Sequence, residues 1–206
     1  MPFRIFVAIL IGFLSIETAF SSSTGPSPGF SGVPAGGGFP AEGTCASCHQ
    51  SFPLNPDAEG KLKLSGVPDT YEPGRRYPLT FTISHPSATR WGFQVTAVDS
   101  ATFRAAGDFA SEVDDHSTQR VGGGFGGRVY IEHGAIGKAA TGIGQTNSYT
   151  WRFDWVAPTE DVAGVEFFGA GNAADGDGSP SGDRIYSASP EPLARTRKDS
   201  AERKTE

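Results

Sequence analysis

Between residues 60 and 190, apolar residues recur at every second position, and Gly and Pro separate the runs. This alternation is typical of half-buried β-strands. It predicts strands at 61–67, 77–84, 91–98, 128–133, 148–158, 164–171 and 183–188. No long stretch with helical periodicity occurs in this region, so we expect few helices.

Several of these stretches have one aromatic face. The stretch 148–158 has Tyr149, Trp151, Phe153 and Trp155 on one face and Arg152 and Asp154 on the other. Short strands of this kind, separated by turns, predict an all-β fold, an immunoglobulin-like antiparallel β-sandwich. We interpret the aromatic faces as its core rather than as a binding platform.

The amino-terminal residues have the features of a secretory signal peptide. Arg4 precedes an apolar run from Ile5 to Leu14, and Ala19-Phe20-Ser21 fits a cleavage site. The run is about half of the roughly 20 apolar residues that a membrane-spanning helix needs. We therefore predict a signal peptide at 1–21 and a mature chain without a membrane span. Its expected location is the periplasm, the medium or the cell surface.

Composition divides the rest of the chain into three parts. Residues 22–59 form a Gly- and Pro-rich arm. Its part 22–44 is too rich in Gly, Pro and Ser to bury much apolar area, which predicts an extended, weakly structured segment. Residues 60–190 form the predicted sandwich. Residues 191–206 mix both charge signs without an apolar period, and we predict a disordered tail.

The overall charge argues against one class of partner. The chain has 17 Lys and Arg against 23 Asp and Glu, a formal net charge of −6. A nucleic-acid-binding protein needs a basic stripe, so no nucleic-acid partner is expected. No His-Glu-x-x-His motif is present, and no evident pair of nucleophile and base supports hydrolysis.

The only two cysteines lie in the stretch CASCH, residues 45–49. A thioredoxin-like redox pair expects a βαβ setting, and a structural zinc site needs four ligands. Covalent attachment of haem accounts for every residue of the motif, with thioether bonds to Cys45 and Cys48 and with His49 as an iron ligand. We therefore predict one haem c, attached by the c-type maturation machinery outside the cytoplasm.

The sequence also restricts the second axial ligand of the iron. The only methionine is Met1, within the predicted signal peptide, so a methionine ligand is not available. His85 and His116 are expected in exposed turns or loops. His133 is on the inward face of its strand, where an imidazole needs a partner. It is either a core histidine bonded to the backbone or, as we predict, the distal iron ligand.

A second candidate metal site is the stretch NAADGDGSPSGDR, residues 172–184. Asp175, Asp177 and Asp183 lie among glycines, as in calcium-binding loops. The EF-hand spacing and its closing glutamate are missing. A Gly/Asp hairpin turn explains the same residues, and we prefer this interpretation.

Several motifs together resemble a known family. They are SGVPAGGGFPAEGTCASCHQSFPLN, RWGFQVTAVDS, YIEHGAIG, TWRFDWVAP and FFGAGNAADGDGSPSGDRIY. The order resembles bacterial secreted proteins that join one CxxCH haem site to a Reeler-like domain, often described as choice-of-anchor V domains. The resemblance covers about residues 31–188. It implies a Reeler-like sandwich and a histidine at the place of His133. The charged tail after Ser189 departs from the sorting signals of that family.

These observations predict a secreted monohaem c-type cytochrome that acts in electron transfer with a redox partner protein. Two histidine ligands are expected, which suits an electron carrier rather than an enzyme. One alternative is a haem-bearing adhesion or surface-interaction module of the Reeler type. Another is a haem sensor or peroxidase with an open sixth position.

Overall fold

The computed structural model describes residues 24–112, 117–134 and 141–199. The predicted signal peptide and His116 lie outside the described residues. The strands are β1 (Lys61–Ser65), β2 (Thr70–Tyr71), β3 (Arg76–His85), β4 (Arg90–Asp99), β5 (Asp108–Ser111), β6 (Thr118–Gly122), β7 (Val129–His133), β8 (Asn147–Val156), β9 (Val165–Ala174), β10 (Arg184–Ser187) and β11 (Ala194–Lys198). Two short 3₁₀ turns cover Cys45–Ser47 and Phe125–Gly127.

The strands form two sheets. One has the order β1-β3-β8-β5. The other has the order β2-β11-β9-β4-β7-β6, with β10 also paired to β9. The described strand pairs are antiparallel except for β2 with β11. The chain is therefore all-β, an antiparallel sandwich as predicted, and each predicted strand has an observed counterpart. The described residues contain no helix of the length and apolarity needed to cross a bilayer.

Aromatic side chains from both sheets form the core. Phe93 of β4 lies 4.9 Å from Phe81 of β3 and 4.5 Å from Trp151 of β8, between ring centroids. Trp151 and Phe153 are almost fully buried. Aromatic pairs at such distances stabilise a fold by about 0.5–1.5 kcal/mol beyond the burial of their area. The predicted packing role of these faces is confirmed.

The outer face of the larger sheet is also covered, by the amino-terminal arm. Val33 of the arm is fully buried and packs with Val98 of β4 and Phe168 of β9. Residues 31–44 fold back on themselves, since Gly32 N–H donates to Gly43 O (2.9 Å) and Glu42 N–H donates to Val33 O (2.8 Å). The expectation of a weakly structured arm is wrong for residues 24–44, because a few buried side chains dock this part of the arm despite its composition.

A buried ion pair holds this arm on the sheet. Arg128 Nη1 donates to Glu42 Oε1 over 2.6 Å, and both side chains are inaccessible to solvent. Tyr130 O–H donates to the same carboxylate oxygen (2.6 Å), while Ser31 O–H donates to Glu42 Oε2 (2.6 Å). A buried charge needs such partners to offset its desolvation.

The carboxyl-terminal segment differs from the prediction as well. Residues 194–198 form β11, antiparallel to β9 and parallel to β2. Leu193 packs against the core, and Thr196 is buried between exposed Arg195 and Arg197. The prediction of a disordered tail from residue 191 is therefore wrong up to residue 199. The segment is ordered because its backbone pairs with an open sheet edge. Its sequence gives little indication of a strand, since only one of its side chains is buried.

Candidate functional site

The CxxCH motif forms a single capped turn. Thr44 Oγ1 accepts a hydrogen bond from Ala46 N–H (3.3 Å) and caps the start of the turn. The backbone N–H groups of Cys48 and His49 then donate to Cys45 O, over 3.2 and 3.0 Å. Positions i, i+3 and i+4 of a helical turn share one face. Both thiols and the imidazole therefore point to the same side.

That side borders a cavity of about 310 Å³ between the arm, the end of the larger sheet and the loop 175–183. All four residues predicted to bind haem line it, namely Cys45, Cys48, His49 and His133. Its other walls include Phe30, Arg90, Trp91, Gly92, Thr141, Asn172, Ala174 and Asp183. Residues that are distant in sequence thus meet at one place.

His49 is oriented by a carboxylate. Its Nδ1–H donates to Asp183 Oδ2 over 2.6 Å, and the Asp183 side chain is only 3% exposed. Asn172 Nδ2 donates to the same oxygen (3.1 Å), and Asp175 N–H donates to Asp183 Oδ1 (3.3 Å). A carboxylate on Nδ1 sets the tautomer and leaves Nε2 as the metal-binding nitrogen. Sequence reasoning missed this role, because it grouped Asp183 with a candidate calcium loop.

The three aspartates of that loop do not converge. Asp175 Oδ1 accepts from Asp177 N–H (3.1 Å), and Asp177 Oδ1 accepts from Ser179 N–H (2.6 Å). Aspartates that bond to backbone N–H groups two residues on are typical of turns. Within the described ranges the three carboxylates do not form a group with metal-ligand spacing.

His133 lies where two strands part. The pairing of β7 with β4 ends at Glu132 and Gln94. At the next position Phe93 N–H donates to His133 Nδ1 (3.1 Å), and the Phe93 carbonyl oxygen is 3.3 Å from the same nitrogen. The ring covers Gly92, where a Cβ atom would be 3.1 Å from His133 Cε1. His133 is buried as predicted, bonded to the backbone and still part of the cavity wall.

The surroundings of the cysteines favour neither a redox pair nor a zinc site. They are not joined by a disulfide. Burial raises the pKa of Cys45 to about 12. A thiol protonated at neutral pH is a slow partner in disulfide exchange. Among the described residues, neither cysteine belongs to a group of three or more ligands with metal spacing.

A buried carboxyl group links the cavity region to the arm. Glu132 is 1% exposed, and burial raises its pKa to about 7, although hydrogen bonds from Gln94 and Gln119 oppose this. Gln94 Nε2 donates to Glu132 Oε2 (2.7 Å), and Gln94 Oε1 accepts from Phe30 N–H (2.7 Å). The network places Phe30 at the cavity wall.

His85 does not lie in an exposed turn. It is only 2% exposed and packs beside Tyr186, with ring centroids 6.1 Å apart. The prediction of an exposed position is wrong, because the end of the arm folds over the end of β3. His85 is not among the residues that line the cavity.

Among known proteins, several solved structures resemble this chain. No protein-family model and no curated protein matches the chain. The Reelin-N domain of F-spondin is a similar solved structure, with 21% identity and a TM-score of 0.46 over 69% of this chain and 87% of that one. The human F-spondin reeler domain (fragment 1) has 21% identity and a TM-score of 0.44 over 69% of this chain and 90% of that one. Reeler domains, expected from the sequence motifs, are thus among the solved structures that this chain resembles.

Proposed function

We propose that this protein is a secreted monohaem c-type cytochrome that transfers electrons outside the cytoplasm. Cys45 and Cys48 would hold one haem c through thioether bonds, and His49 and His133 would ligate its iron. The observation that carries the proposal is the convergence of these four side chains on one cavity. Held by these residues, the haem would supply one-electron redox chemistry.

The cavity wall suits a group with an apolar ring and carboxylate substituents. Phe30, Trp91 and Ala174 supply apolar surface. Among the described residues, Arg90 is the only Lys or Arg that lines the cavity. Within the described part of the chain its guanidinium has no hydrogen bond or ion pair, so it is available to a carboxylate of the bound group.

Asp183 determines the basicity of His49 as an iron ligand. Its carboxylate accepts the Nδ1 proton of His49 and makes the imidazole more basic. A more basic ligand stabilises the oxidised iron. The buried acceptor therefore favours a low reduction potential, because hydrogen bonding to an axial ligand is one of the means by which a protein tunes haem.

His133 supplies the second imidazole in one of its two neutral tautomers. When Nδ1 carries the proton, it donates to the Phe93 carbonyl oxygen at 3.3 Å, and Nε2 then carries the lone pair. The contact with Phe93 N–H at 3.1 Å belongs to the other tautomer. Ligation of iron through Nε2 therefore goes with the tautomer that has its proton on Nδ1.

The cellular setting follows from the motif. Thioether attachment takes place outside the cytoplasm, in keeping with the signal peptide predicted at 1–21. The motif resemblance to choice-of-anchor V domains supports the same combination of a haem site with a Reeler-like sandwich. The redox partner is a second protein that approaches the cavity.

Haem staining tests the attachment. The chain is expressed with the c-type maturation machinery and run on a denaturing gel. We expect a stained band for the wild type, its loss in Cys45→Ala/Cys48→Ala, and no change in Ser47→Ala, which alters the same turn without removing a thiol. A wild-type band without stain would reject the cytochrome.

A second experiment separates the function from its alternatives. In the native host, the Cys45→Ala/Cys48→Ala variant should lose a respiratory or redox phenotype. Retained function in a folded variant would favour an adhesion module. Ready binding of carbon monoxide or cyanide by the wild type would favour a sensor or peroxidase instead.

A further inference from the structure

A second group of ligand-type side chains lies where the arm ends, apart from the cavity. Asp57 and Glu59 precede β1, and His85 is the last residue of β3. His85 Nε2 is 3.6 Å from Asp57 Oδ2 and 3.7 Å from Glu59 Oε2. One ligand atom from each of the three residues lies within 4.8 Å of the others.

The His85 imidazole in this group has one nitrogen without a hydrogen-bond partner among the described residues. The His85 side chain is 2% exposed, and its Nε2 atom has no hydrogen-bond partner in the described structure. A direct hydrogen bond to either carboxylate would need about 3 Å. Leaving a buried polar atom unpaired is unfavourable, because the atom loses its hydrogen bonds to water. The gap between the three side chains is therefore a place for a further ligand.

We propose that Asp57, Glu59 and His85 bind a divalent transition-metal ion, with Zn²⁺ as the best fit. Zinc lies about 2.0–2.2 Å from nitrogen and oxygen ligands, so two ligands of a tetrahedral site are about 3.4 Å apart. The observed separations of 3.6 and 3.7 Å need little adjustment to reach this geometry.

The donor set defines the class of ion. One imidazole and two carboxylates suit zinc and its neighbours in the first transition row, whereas calcium and magnesium prefer oxygen ligands alone. The Glu59 side chain is 66% exposed, so the proposed site is accessible to solvent water as a further ligand. Three protein ligands with one open position are typical of accessible zinc sites.

Neighbouring groups orient the Asp57 carboxylate. Its Oδ1 atom accepts from Tyr186 O–H (2.8 Å) and from the backbone N–H groups of Glu59 (3.0 Å) and Gly60 (3.2 Å). The Oδ2 atom remains directed at His85. Arg184 Nε is 3.5 Å from this oxygen and is the cation with which the metal competes.

Metal binding requires a change of tautomer in His85. Ser87 N–H donates to His85 Nδ1 over 3.2 Å, so the neutral ring carries its proton on Nε2. Ligation through Nε2 moves the proton to Nδ1. Ser87 Oγ, 3.1 Å away, then accepts this proton, and Ser87 N–H gives up its hydrogen bond to Nδ1. The ion would join the end of the arm to the sandwich, a role separate from electron transfer.

Calorimetric titration of zinc chloride into the chelator-treated full-length chain tests the site. We expect one zinc per chain, at least tenfold weaker binding in Glu59→Gln and loss of binding in His85→Phe. Glu72→Gln removes another exposed carboxylate and serves as the matched control, with unchanged affinity. Because Glu59 is exposed, its variant should fold normally, and wild-type affinity in Glu59→Gln would overturn the proposal.

Nitrogen-15 spectra of the histidine rings provide a second readout. Zinc should move the His85 proton from Nε2 to Nδ1 and shift the Nε2 resonance. If the shifts are confined to His49, His116 or His133, the zinc binds elsewhere and the proposal is wrong.

Discussion

At the scale of the residue, the candidate haem site depends on two histidines whose Nδ1 atoms are each held by a neighbour. Asp183 accepts from His49, and the peptide groups of Phe93 lie beside His133. A carboxylate raises the basicity of an imidazole more than a peptide carbonyl does. The two axial positions should therefore differ in ligand strength, with the stronger ligand next to the thioether bonds.

Replacement of His133 by Ala should open one axial position. Two imidazoles give low-spin iron, and an exogenous ligand must first displace one of them. In His133→Ala we expect largely high-spin ferric haem that binds cyanide, with attachment through Cys45 and Cys48 unchanged. Optical spectra with and without cyanide measure this.

The control for this variant is Thr141→Ala. Thr141 is a buried residue of the same cavity wall, and its side chain has no nitrogen that could bind iron. It should keep the low-spin spectrum. An unaltered low-spin spectrum in His133→Ala would contradict the assignment and direct attention to His116.

Replacement of Asp183 by Asn should raise the reduction potential. The neutral amide removes negative charge from the Nδ1 side of His49 and stabilises oxidised iron less. We expect an increase of roughly 50–100 mV, the order of a tenfold change in a one-electron equilibrium. Spectroelectrochemical titration measures it. Asp177→Asn, in the exposed part of the same loop, is the control, and an equal shift in both variants would argue against a specific role for Asp183.

At the scale of the element, β11 covers one side of β9 in the larger sheet. It pairs with β9 at residues 194–196 and continues to β2 at residues 197 and 198. The neighbouring Leu193 packs against the core, and Leu193 N–H donates to Phe167 O (2.7 Å). The strand therefore shields backbone groups that an open edge would expose to other chains.

Deletion of residues 191–206 should destabilise the protein. It removes the pairing of β9 with β11 and the burial of Leu193. We expect a loss of about 3 kcal/mol, or roughly 6–12 °C in melting temperature for a chain of this size. Deletion of 200–206, which leaves β11 intact, is the control. Equal melting temperatures for both truncated chains would show that β11 contributes no stability.

The arm depends on the ion pair of Arg128 with Glu42. Arg128→Met leaves a buried carboxylate without its cation, which costs about 3–5 kcal/mol. We expect this loss in denaturant unfolding, with faster hydrogen exchange in residues 31–44. The double variant Arg128→Met/Glu42→Gln removes both charges and should recover part of the stability. If it recovers none, the charge of Glu42 is not the cause.

At the scale of the whole molecule, the cavity forms where three separate parts meet. The arm supplies the CxxCH turn, β7 supplies His133, and the loop after β9 supplies Asp183. The aromatic core lies between the sheets and does not include the residues of the CxxCH turn. The scaffold is therefore built independently of the group that the cavity would bind.

This separation predicts that the chain folds without haem. The Cys45→Ala/Cys48→Ala variant should keep a β-type circular dichroism spectrum and a cooperative thermal transition, since the core is intact. Its melting temperature should be lower than that of the haem-loaded chain, because a bound group stabilises the folded state. A variant without a cooperative transition would show that the sandwich needs the haem.

Periodicity in the sequence was enough to predict the strands that build the core. The aromatic alternation around Trp151 and Phe153 predicts burial directly, because each side chain loses a large apolar area to the interior. The CxxCH motif and His133 were likewise identifiable, since few residue types have that chemistry. The short strands β2, β5, β6 and β11 were missed, because pairing with neighbours rather than their own composition orders them.

The sequence by itself thus determined the class of fold, the core and the candidate ligands, because these follow from local pattern and side-chain chemistry. Only the tertiary structure decided how the arm docks through Val33 and Glu42, that Asp183 orients His49, and that His85 is buried beside Asp57. Each of these depends on contacts between residues far apart in the chain. A contact of this kind is a property of the packed sheets, and no single stretch of sequence contains both partners.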